Sequence, residues 1–119
     1  MNEVSLRSVA PILQVADLPR AIDFYTRTLG FELGWTFGTP AFIAGVRRDN
    51  VELNLRLEPR PVPSRAYIQV NGIDAYSKGI SAAGARMIHP LEDRDYGMRD
   101  CTVADPDGNA IAIGEPCVA

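Results

Sequence analysis

One order of elements occurs twice in this chain, and that repetition limits the fold more than any other feature. Gly30 and Gly84 each close a helical stripe, 54 residues apart. Gln14-Val15 and Gln69-Val70 each close an alternating strand, 55 residues apart. Between the two copies lies "EPRPVPSR" (58–65), whose three prolines suit a semi-rigid linker and no regular element. A chain that runs strand, helix and three strands, breaks on proline and repeats the order is predicted to fold as α+β, with two βαβββ modules. Module one covers about 8–57, the linker 58–64 and module two about 65–114. Direct identity between the halves is slight, so the repeat is one of pattern. At 119 residues the whole is one domain in size.

In the first copy, "SVAPILQV" (8–15) alternates as a strand does, and Pro11 removes a backbone donor, which places that strand at an edge or near a hinge. Asp17 stands where an N-cap would and Pro19 fits a first turn. Leu18, Ala21, Ile22, Tyr25 and Leu29 then keep helical spacing up to Gly30, which predicts a helix over 18–29. "FELGWTF", "AFIAGVR" and "VELNLRL" read as three antiparallel strands. In the second copy "RAYIQV" is a strand, and Ile73, Tyr76, Ile80 and Ala83 give a helical stripe. "ARMIH", "DCTVA" and "NAIAI" supply three further strands. The turn Asp105-Pro106-Asp107-Gly108 launches the last of them.

Each helix follows a strand whose aliphatic face it can cover. That puts Val9, Leu13, Val15, Leu53, Leu55, Ala66, Ile68, Val70, Ile111 and Ile113 against the helices. Burying one such side chain is worth about 1.5–3 kcal/mol, so the helix face is fixed and, because strand side chains alternate, the opposite face is fixed with it. That face holds Ala10, Ile12, Gln14, Glu52, Asn54, Arg56, Arg65, Tyr67, Gln69, Ala110 and Ala112. Small, amphipathic and polar groups in one array read either as a solvated surface or as a cleft with room for a ligand.

The bulk numbers are those of an ordinary globular protein, with 46% hydrophobic and 23% charged residues. A net charge of −3 gives no reason to expect nucleic acid or an anionic membrane as partner. The N-terminal residues carry no apolar core with a cleavage site, and no apolar run approaches a membrane span. Two cysteines, Cys101 and Cys117, make no disulfide framework, and the expected location is the cytoplasm with reduced thiols. Cys101 reads as a buried apolar thiol, His89 as a surface or structural residue, and the runs "EDRD" (92–95) and "RRD" (47–49) as solvated loop charges.

The phrases "VADLPRAIDFYTRTLGFEL" (15–33) and "YGMRDCTVADPDGNAIAI" (96–113) resemble the glyoxalase / bleomycin-resistance / extradiol-dioxygenase superfamily, the vicinal oxygen chelate proteins. The resemblance implies two modules whose curled sheets form a cleft, commonly in a homodimer, some members exchanging an N-terminal strand. It also implies that enzymes of the family hold a divalent metal on four strands. Those places fall here on Ala10, Glu52, Arg65 and Ala112. Alanine has no donor atom and arginine is a permanent cation, so only Glu52 can serve; no metal and no cofactor is expected.

The resemblance then points to the drug-binding branch, whose members sequester a small molecule in an aromatic-lined cleft. The candidate cleft residues are Trp35, Phe42, Glu52, Asn54, Arg65, Tyr67, Gln69, Tyr96, Arg99 and Ala112. Glu52 is expected to pair with Arg65 where relatives hold the metal, or else to meet a cationic ligand group. A metal-dependent lyase, isomerase or dioxygenase with atypical ligands, and a plain interaction module, are the competing readings.

Overall fold

The computed structural model describes residues 3–118. The element order is β1 (Ile12–Val15), α1 (Leu18–Asp23), β2 (Glu32–Gly38), β3 (Ala41–Arg48), β4 (Val51–Leu57), β5 (Arg65–Gln69), α2 (Ile73–Ala82), β6 (Arg86–Asp93), β7 (Met98–Ala104) and β8 (Ala110–Pro116). The strands form two four-stranded mixed sheets of the α+β class. Sheet A has the order β1-β4-β3-β2 and sheet B the order β5-β8-β7-β6. In each, the first strand pairs parallel to the last and the others are antiparallel. No helix among the described residues is long and apolar enough to cross a membrane.

α1 begins as the sequence predicts, with the Asp17 carboxylate accepting from the Arg20 N–H at 3.0 Å. It does not continue as an α-helix to residue 29. Phe24–Thr28 winds as a π-helical turn, in which the Leu29 N–H donates to the Phe24 carbonyl, five residues back. A π turn holds one more residue than an α turn. That explains why the two copies stand 55 residues apart before the helix and 54 after it.

Leu13, Val15, Leu53, Leu55, Ile68, Ile111 and Ile113 are buried as expected, under Leu18, Ala21, Tyr25 and Leu29 in one half and Ile73, Ser77 and Ile80 in the other. Two readings are corrected. Residues 8–11 precede β1 instead of belonging to it, so Val9 is 86% exposed and no part of the core. Ala83 is exposed, and Ser77 takes the buried place on α2. Helix register decides the latter: 73, 77 and 80 share one face, which residue 83 leaves at the helix end.

The turn 105–109 does more than launch β8. The Asp105 carboxylate, 3% exposed, accepts from the Tyr25 hydroxyl at 2.8 Å, from the backbone N–H groups of Asp107 and Asn109 at 2.9 and 2.8 Å, and from Asn109 Nδ2 at 2.8 Å. Asp107 Oδ1 accepts from the Ala16 N–H at 3.1 Å and from Arg20 at 3.2 Å, and Asn109 Nδ2 also donates to the Gln14 carbonyl. The loop of one half is thereby fastened to the strand and helix of the other. Burial, with the Asp105 charge adding to it, raises the Tyr25 phenol far above its ordinary pKa, so it stays a donor. In the other direction the Tyr76 hydroxyl donates to the Leu29 carbonyl at 2.6 Å.

The helices cover one face of each sheet and leave the other open. The molecule is a slab of 49 × 49 × 23 Å with a radius of gyration of 15.3 Å, against about 13.5 Å for a compact chain of this length.

Candidate functional site

The open face of sheet A is built around Trp35. Cross-strand register sets Trp35 on β2 opposite Gly45 on β3, and Gly45 opposite Asn54 on β4. The indole lies directly over Gly45, where a Cβ would collide with it, and this cover is what buries the glycine. The indole N–H then donates to Glu52 on β4 at 3.4 Å. Phe42 packs edge-on against Phe37 at 5.7 Å, and the Arg56 guanidinium stands 5.4 Å from the Phe42 ring. Ile12 and Phe37 are exposed on the same face. The Asn54 Oδ1 atom is buried with no hydrogen-bond donor among the described residues.

The open face of sheet B repeats the device with other residues. Tyr67 on β5 reaches across Gly114 on β8, where a Cβ would meet its hydroxyl, and donates to Asp100 on β7 at 2.9 Å. The Tyr96 hydroxyl donates to the same carboxylate oxygen at 2.6 Å, and Arg94 Nε to the other at 2.9 Å. Burial pushes the Asp100 carboxyl upward, but the donors Tyr96, Arg94 and Tyr67 together outweigh it and hold the group below the ordinary carboxylate range. Burial and the Asp100 bond both raise the Tyr67 phenol, which therefore stays protonated.

Of the residues singled out in the sequence, Trp35, Glu52 and Asn54 come together on sheet A, while Phe42, at the start of β3, contacts Phe37 and Arg56. Arg65, Tyr67, Gln69 and Ala112 share the open face of sheet B, with Tyr96 above it on the β6–β7 turn. Arg99 is not brought to this face. It lies toward α2, donating to Asp74 at 2.7 Å and to Asp93 at 3.1 Å. Its neighbour Asp100 holds the inward place, because β7 starts at Met98 and its side chains alternate from there.

Within one chain Glu52 lies on sheet A and Arg65 on sheet B, and Glu52 accepts from the Trp35 indole. The run 92–95 is no mere solvated loop, since Arg94 bonds Asp100, Glu92 and the Pro90 carbonyl. Gly45, Gly114, Asp100 and Arg94 were missed in the sequence. The alternation of β3, β7 and β8 carried a signal for the first three, once their register is known.

The four places that correspond to the family's metal ligands do not fit a metal. Ala10 precedes β1 and has no donor, Arg65 stands opposite Ala110, and Ala112 stands opposite Tyr67. Among the described residues no three His, Cys, Asp or Glu side chains gather into a set that could hold an ion.

Residues 6–113 match the family model described as "Glyoxalase/Bleomycin resistance protein/Dioxygenase superfamily". A curated relative from Mycobacterium bovis, itself called uncharacterized, is 29% identical over 126 residues, covering 92% of this chain and 83% of the relative. Among solved structures, the bleomycin-binding protein of Streptomyces verticillus, crystallised with copper(II)-bleomycin, superposes with a TM-score of 0.79 at 25% identity, covering 97% of this chain and all of that one. TioX from Micromonospora sp. ML1 superposes with a TM-score of 0.80 at 23% identity, covering 93% of this chain and all of that one.

Proposed function

Because the chain belongs to the glyoxalase/bleomycin resistance protein/dioxygenase superfamily, we propose that it binds a planar small molecule and sequesters it unchanged, in a cleft made by two copies of the chain. Sheet A of one protomer forms one wall and sheet B of its partner the other. One observation carries this reading: each open face lays an aromatic side chain across a glycine of the next strand and tethers it to a carboxylate one strand further, Trp35 over Gly45 to Glu52 and Tyr67 over Gly114 to Asp100. Tethered aromatic side chains give a planar ligand surfaces that lose little freedom on binding, each stacking contact being worth about 0.5–1.5 kcal/mol beyond burial.

The shape supports a second copy. Trp35 is 39% and Tyr67 45% exposed on a flat slab, and one wall makes no cleft. Exposed aromatic groups of this extent mark a surface that another surface covers. The metal-dependent alternative finds no donor set at the corresponding places.

Copper(II)-bleomycin is the first probe, with an intercalating dye such as ethidium as a second planar cation. Binding in the cleft is expected to quench the single tryptophan and to raise the unfolding temperature. A probe at 100 times its dissociation constant stabilises the fold by about 2.7 kcal/mol. A panel of planar compounds that moves neither tryptophan emission nor melting temperature overturns the proposal.

A further inference from the structure

A groove of about 720 Å³ lies where the two modules meet, with neither Trp35 nor Tyr67 in its lining. Its wall on module two includes Gln69, Asn71, Ala75 and Ile80. At the 55-residue spacing seen before the helix, their counterparts on module one are Gln14, Ala16, Arg20 and, at the start of the π turn, Tyr25. Those four are the residues that hold the 105–109 loop. The groove is therefore the second copy of a seat whose first copy is filled.

It stands open for a length reason. Five residues join β7 to β8, long enough to reach the opposite module, whereas Asp49 and Asn50 alone join β3 to β4. The side chains agree, since the bonding Arg20 and Tyr25 give way to Ala75 and Ile80.

The filled seat shows what such a site takes. The Ala16 N–H there holds the Asp107 carboxylate. The corresponding N–H, that of Asn71, has no acceptor among the described residues. Arg48 on the facing wall is set against Gly30 with its guanidinium 5.4 Å from the Tyr76 ring, and it forms no ion pair among the described residues. Asp49, at the hairpin tip, is the one acid in the lining among the described residues, and Val51, Val70 and Ala75 supply apolar surface.

We propose that this groove is a second binding site, for a small carboxylate with an apolar body. The carboxylate takes the Asn71 N–H and Arg48, as the Asp107 carboxylate takes the Ala16 N–H and Arg20, and the body covers the aliphatic wall. The proposal does not depend on the cleft between sheets.

Benzoate is the probe, followed through backbone amide and indole resonances of the full chain at up to about 20 mM, the range in which a site of this size is measurable. The expected result is saturable movement of the Asn71 and Gly72 amides with the Trp35 indole N–H unmoved. Gly79→Phe is designed to fill the groove: nothing lies within 4 Å of a Cβ added there, so the new side chain starts from open space. It is expected to abolish the movement, and Arg48→Gln to weaken binding about tenfold or more, a loss in keeping with a charge-assisted contact. Absence of saturable movement, movement confined to Trp35 and Tyr67, or unchanged binding in Gly79→Phe with a native spectrum overturns the assignment. If Gly79→Phe does not fold, Arg48→Gln decides, and unaltered affinity in that variant is the adverse outcome.

Discussion

Asp100 accepts from Tyr67, Tyr96 and Arg94 at the centre of an otherwise open face. Asp100→Asn removes the charge that all three donors share and is expected to cost about 1.5–3 kcal/mol in urea unfolding at pH 7, the range of a hydrogen-bond partner lost from a charged group. Because its folded pKa lies below the unfolded value near about 3.9, its contribution is fully present above that value and fades as pH falls through the folded one. Wild type should thus lose more stability between pH 5 and pH 2 than Asp100→Asn does, and equal losses would refute this role. Cys101 is buried, which raises its thiol pKa, while Cys117 is partly exposed. A thiol reagent should label Cys117 on the native protein and reach Cys101 only on unfolding. Little of this residue-level detail was legible beforehand. The sequence marked Tyr67 by strand parity, but Asp100 looked like one more charge in "RDCTVA" until the start of β7 was known.

At the scale of elements, strand alternation was the readable part. Leu53 and Leu55, or Ile111 and Ile113, announce their buried face, and Glu52, Asn54 and Tyr67 follow on the other. Cross-strand register was not readable, because pairing partners lie far apart in the chain. Gly45 beneath Trp35 and Gly114 beneath Tyr67 therefore looked like ordinary strand glycines. Gly45→Ala tests the first of them. A methyl group there displaces the indole, so tryptophan emission should shift to the red and a planar probe should bind about tenfold more weakly, the equivalent of about 1.4 kcal/mol. Unchanged emission and affinity would show that the indole has no fixed seat. The π turn after α1 was equally hidden: its residues keep helical spacing, and only the change from 55 to 54 residues between copies betrays the extra one.

On the scale of the whole molecule, the repeat announced two modules and the structure shows how they are joined: side by side, with both open faces outward, in a slab 23 Å thick. Sedimentation is expected to give twice the 13.0 kDa of one chain, and dilution should redden tryptophan emission as the cleft parts; a species of 13.0 kDa at all concentrations would sink the two-wall arrangement. The union of the halves rests on the 105–109 loop and on Tyr76, not only on the prolines between them. Tyr25→Phe removes one bond to the Asp105 carboxylate and is expected to cost about 1.5–3 kcal/mol in thermal unfolding. The same fastening has a consequence for chain continuity. Since Asp105, Asp107 and Asn109 hold the halves together by non-covalent bonds, a backbone nick between Pro59 and Arg60 should leave two fragments that stay together and, when expressed separately, find each other and complement into one folded body.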